Sequence, residues 1–117
     1  MQHRELTAAG TGGTSLYAQA WLPGAAPRAV IVLSHGLAEH GGRYETLARE
    51  LAQRGYAVYA VDHRGHGRSS GPRANIERFA YLVADFCGFT ERCAGEHPGA
   101  PVFMLGHSMG GAVAFAS

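Results

Sequence analysis

The chain has 117 residues, 46% of them apolar and 16% charged, which suits one modest soluble domain built on a single core. Its ten basic residues are all Arg and nearly cancel nine acidic ones, for a formal charge of +1. A charge so near zero supplies no field for gathering nucleic acid, and without Lys there is no phosphate loop ending in Gly-Lys-Ser/Thr.

Along the chain, two short strand-like pieces around Arg4–Thr7 and Leu16–Trp21 flank a Gly-Thr-Gly-Gly turn, which predicts an antiparallel hairpin. Ala29–Ser34 ("AVIVLS") is a continuous β-branched run, the pattern of a strand buried on both faces. A Gly-rich loop, His35–Arg43, follows. Tyr44–Arg54 carries Tyr44, Leu47, Ala48 and Leu51 at helical spacing, with Gly55 placed to end the helix. Tyr56–Val61 ("YAVYAV") reads as the next strand.

The polar loop "DHRGHGRSSGPRAN" leads into a helix expected from Ile76 to Glu96, with Ile76, Phe79, Val83, Phe86 and Cys93 on its inner stripe. Val102–Leu105 reads as a third buried strand, and Ser108 opens another helix. A hairpin followed by β-α-β-α-β-α implies an α/β fold with parallel strands joined by right-handed crossovers, within a single domain over 1–117.

In such a sheet, reactive groups gather where loops leave the carboxyl ends of the strands. The turn Gly106-His-Ser108-Met-Gly110 matches G-x-S-x-G, in which a strained strand-to-helix turn lifts a serine hydroxyl above the sheet. Gly106 and Gly110 leave room across that turn, and the helix N-terminus adds partial positive charge where an oxyanion would form. Gly67-Arg-Ser69-Ser-Gly71 fits the same pattern. Ser108, however, follows an apolar strand and opens the apolar run "AVAFA", whereas Ser69 lies in mid-loop before Gly71-Pro72. Ser108 is therefore the expected nucleophile and Ser69 a turn residue. The oxyanion donors expected beside it are the backbone N–H of Met109 and that of Leu37, in the loop opened by His35 and Gly36.

"SHGLAEHGGRYETLARELAQRGYAVYAVDHRGHGRSSGPR" followed by "GHSMGG" resembles the monoacylglycerol lipase and lysophospholipase branch of the α/β-hydrolases, within the S33 type. The likeness runs from about Ala29 onward. It implies the N-terminal portion of that fold, Ser108 as nucleophile of a carboxylic ester hydrolase, Leu37 and Met109 as oxyanion hole, and Asp62 with "RGHGRS" as a supporting loop. Relatives usually carry Gly where this chain has Ala38. The resemblance also implies a lid and further strands beyond the elbow, and triad partners that follow the serine in the order acid, then His. No Asp, Glu or His follows Ser108, so the chain is expected to be the front part of a longer hydrolase and inactive alone. The alternatives are a binding module on a hydrolase core, or a hydrolase of other small esters or peptides.

Seven histidines invite a metal reading, but neither His63 with His66 nor His35 with His40 has a third ligand at suitable spacing. No metal or cofactor is expected, and His107, pointing away from its neighbour Ser108, is not expected to be its base. Cys87 and Cys93, about 9 Å apart along a helix, are expected to stay unbridged. No apolar run nears the ~18 residues of a membrane span. The start "MQHRELTAAG" has no apolar signal core, which points to a cytoplasmic protein whose membrane contact would come through a lid.

Overall fold

The alternation of β-branched and small residues in the predicted strands becomes a five-stranded mixed sheet in the computed structural model, which describes residues 1–35, 44–63, 69, 79–106 and 113. Strands β1 (Gln2–Ala9) and β2 (Ser15–Leu22) form the antiparallel hairpin, with Leu6 opposite Ala18 and a short 3₁₀ turn, Thr11–Gly13, between them. Strands β3 (Val30–Ser34), β4 (Ala57–Val61) and β5 (Val102–Gly106) run parallel, and the order across the sheet is β1-β2-β4-β3-β5. The hairpin joins the parallel part through β2, which lies antiparallel to β4 with Ala20 opposite Tyr59.

Helix α1 (Glu45–Gln53) packs on one face and α2 (Phe79–Glu96) on the other. Period-two alternation divides each strand between them. Val58 and Ala60 of β4 meet Ala48 and Ala52 of α1, while Ala57, Tyr59 and Val61 meet Leu82, Phe86, Phe89 and Cys93 of α2. Strands β3 and β4 are apolar almost throughout because both of their faces are covered. Gly55 ends α1 as expected. Its φ of 97° lies in the left-handed region, and the N–H groups of Gly55 and Tyr56 reach back to the carbonyls of Ala52 and Leu51. An added Cβ there would also lie 3.0 Å from Cδ of Arg28.

Three expectations need correction. On α2, Phe86 and Cys93 are buried as expected, but Leu82 and Phe89 complete the stripe and Val83 is only half-buried, because the helix turns Leu82 rather than Val83 toward the sheet. Leu47 of α1 points outward at 40% exposure, and the small Ala48 and Ala52 make the close contact instead. Strand β5 is not buried. Phe103, Met104 and Leu105 are 58%, 40% and 46% exposed; among the described residues β5 is an edge strand paired only with β3. The predicted helix from Ser108 lies outside the described residues except for Val113, which is helical and buried with the α2-side core. Residues 76–78 of the α2 prediction also lie outside them.

Cys87 and Cys93 are both free thiols on α2. Tyr59 donates its hydroxyl to Glu96 Oε1 at 2.8 Å and meets His97 Nε2 at the same distance. Burial first, and Glu96 second, push the Tyr59 hydroxyl and the Cys93 thiol well above their ordinary ranges. Both groups therefore stay protonated in the folded chain at pH values where the unfolded chain would release them. Their contribution is complete below about pH 9 and is lost as pH rises beyond it. The urea midpoint is expected to fall steeply between neutral and strongly alkaline pH, and less steeply in a Tyr59→Phe, Cys93→Ala double variant. An identical slope in the two proteins would exclude these groups as the cause.

Candidate active site

Strand register brings together the roots of the two segments that the sequence marks as candidates for catalysis. Ser34, the last residue of β3, pairs with Gly106 of β5 on one side and with Val61 of β4 on the other. Parallel neighbours lie about 4.8 Å apart. The loop opened by His35 and the turn opened by Gly106 therefore leave adjacent strands at the same carboxyl edge. At that edge lies a cavity of about 230 Å³ lined by Leu33, Ser34, Tyr44, Leu105 and Gly106. Its apolar lining suits a hydrocarbon group more than a charged one. A wider cleft of about 540 Å³ lined by Arg28, His97 and Pro101 opens at the amino ends of β3 and β5, away from this edge.

His35 and Gly106 are the predicted site residues that fall within the described part. Gly36, Leu37, Ser108, Met109 and Gly110 lie outside it, as do Ala38, His40, His66 and His107. Ser69, the rival serine, is described and is 2% exposed. Its Oγ donates to the Asp62 carbonyl and accepts the Tyr17 N–H at 2.8 Å, while the Asp62 N–H donates to the Tyr17 carbonyl at 2.8 Å. This hydroxyl ties the loop after β4 to β2, a turn role as the sequence predicts, and in this position it is closed to a substrate.

A contact the sequence reading missed joins His35 to His63. The rings are 4.3 Å apart between centroids and tilted by 54°, and each residue is 1% exposed. The His63 backbone N–H donates to His35 Nε2 at 2.8 Å, and Ser34 Oγ lies 3.0 Å from His63 Nε2. Phe86 of α2 closes the other side, its ring 6.0 Å from that of His63. The available signal was topological: both histidines directly follow buried strands, and those strands are neighbours. The pairs weighed from spacing, His63 with His66 and His35 with His40, gave no hint of it.

Solved structures share this fold. The carboxyl esterase of Bacillus coagulans, crystallised with glycerol, superposes with a TM-score of 0.89 at 29% identity, covering 99% of this chain and 39% of that one. A soluble variant of the Saccharomyces cerevisiae monoglyceride lipase with a substrate analogue superposes at 0.83 and 27% identity, covering 97% of this chain and 38% of that one. The fold is that of the α/β-hydrolases, in its N-terminal portion. Residues 25–117 match the serine aminopeptidase S33 family, and the chain belongs to it. Among its relatives, the monoacylglycerol lipase of Mycolicibacterium smegmatis is 46% identical over 92% of this chain and 39% of its own length. The human monoglyceride lipase is 46% identical over 87% of this chain and 34% of its own length. The chain thus spans little more than a third of the length of these two relatives.

Proposed function

We propose that residues 1–117 form the N-terminal part of a single α/β-hydrolase domain whose activity is hydrolysis of a monoacylglycerol-like carboxylic ester through an acyl-enzyme. The observation that carries this reading is the Ser34–Gly106 register, which starts the oxyanion loop and the serine turn from adjacent strand ends beside an apolar cavity. Ser108 Oγ attacks the ester carbonyl and forms a tetrahedral intermediate. The N–H groups of Leu37 and Met109 donate to its oxyanion, collapse expels the glyceryl alcohol, and water then releases the fatty acid from the serine. The base that takes the serine proton and the acid that orients it come from outside this segment.

The relatives' names support an acylglycerol substrate, and the apolar wall of Leu33, Tyr44 and Leu105 suits an acyl chain. Membrane contact is assigned to a lid outside these residues and the setting to the cytoplasm; no helix among the described residues is long and apolar enough to cross a membrane. The S33 family description favours a second reading, removal of N-terminal amino acids from peptides. Assay of the full-length protein separates the two. Glycerol release from a medium-chain monoacylglycerol is expected, with negligible cleavage of aminoacyl anilides. The reverse preference would replace the lipase reading with the peptidase one.

A further inference from the structure

We infer that His35 is a positioning residue, whose ring, with His63 and Ser34, clasps the root of the oxyanion loop to the loop after β4. The inference rests on the esterase reading above and assigns a task to a residue that the motif alone marks only as a turn.

His35 is the residue from which the proposed oxyanion segment Gly36-Leu37 departs. Its Nε2 accepts the His63 N–H at 2.8 Å, so that nitrogen carries no proton and the ring is the neutral Nδ1–H tautomer. An ordinary strand-ending turn needs no such bond. Here a side chain on one loop root captures the backbone of the next. The second loop root is itself fixed from three directions: His63 Nε2 lies 3.0 Å from Ser34 Oγ, the Asp62 N–H is held by the Tyr17 carbonyl, and the Asp62 carbonyl accepts from Ser69. The clasp therefore refers the oxyanion loop to β2, β3 and β4 together. Its burial makes each hydrogen bond costly to lose, because a stranded donor cannot turn to water. An oxyanion donor acts only if it is already aimed where charge develops, so slack at the loop root should weaken transition-state binding while leaving substrate binding alone.

The test uses the full-length protein and compares two substitutions at one position. Gln places its Oε1 close to where His35 Nε2 accepts, whereas Leu fills similar space with no acceptor. Hydrolysis of a p-nitrophenyl ester by His35→Leu is expected to lose roughly 10²-fold in kcat with KM changed less than about threefold. His35→Gln is expected to stay within about fivefold of the parent in kcat, because its carbonyl keeps the His63 N–H paired. Equal losses in both variants, or no loss in either, would overturn the inference. Should His35→Leu fail to fold, Ser34→Ala decides: a kcat loss of roughly three- to tenfold at unchanged KM supports the clasp, and an unchanged kcat overturns it. Ser108→Ala, run alongside, separates the two levels. If that variant still hydrolyses ester, the esterase assignment itself falls; if it is inactive while His35→Leu is normal, only the clasp falls.

Discussion

Replacing Ser108 by Ala in the full-length protein is expected to lower ester hydrolysis by roughly 10⁴-fold or more and to abolish labelling by a fluorophosphonate probe. Alanine cannot form the acyl-enzyme, so what remains is only the weak catalysis of donors and binding. The informative partner is Ser69→Ala, since both serines satisfy G-x-S-x-G. Ser69 spends its hydroxyl on the Tyr17 N–H and the Asp62 carbonyl. Its loss should cost about 1–3 kcal/mol of stability while labelling of the folded protein persists. Gel fluorescence with the probe, beside a thermal melt of each variant, reads both effects. Labelling lost in Ser69→Ala but kept in Ser108→Ala would reverse the assignment.

The second large effect concerns residues 1–117 produced alone. The segment holds the proposed nucleophile and both oxyanion donors, but residues 109–117 contain no Asp, Glu or His. His35 and His63 offer no obvious substitute base: each is 1% exposed, His35 Nε2 accepts a backbone N–H, and His63 Nε2 faces Ser34. A serine hydroxyl without a base is a poor nucleophile, so turnover of p-nitrophenyl esters is expected to lie roughly 10⁴-fold or more below the full-length protein. Self-association is expected as well, because β5 presents Phe103, Met104 and Leu105 on a strand that, among the described residues, pairs only with β3. Light scattering and ester assay of the purified segment, with and without the remaining polypeptide, measure both. A soluble monomer turning over at ordinary enzyme rates would mean that a base exists within these residues.

Much of this was legible in one dimension. The two-face burial of β3 and β4 follows from runs with no polar alternation, as in "AVIVL", because a strand covered on both sides has no solvent face to supply. Gly55 ends α1 because only glycine takes a φ of 97° without a Cβ penalty, and local backbone sterics are encoded residue by residue. The proposed separation of Ser108 from Ser69 likewise rests on neighbours in the chain, an apolar run before Ser108 and the run "AVAFA" after it.

What needed the tertiary structure were the facts set by pairing between distant segments. Periodicity could not say that β4 would lie between β2 and β3, because any of several strand orders buries the same runs. That order alone brings His35 and His63 to 4.3 Å, gives Ser69 its hold on Tyr17, and leaves β5 exposed although its composition reads as core. It also chose Leu82 and Phe89 over Val83 for the inner face of α2, since a helix's apolar stripe is wide enough to dock at more than one rotation. Sequence thus determined which of the described segments are strands and where α1 and α2 stop, and it singled out Ser108 as the expected nucleophile. Three-dimensional pairing decided which loops share an edge, because hydrogen-bonded register is a property of two strands and is written in neither one.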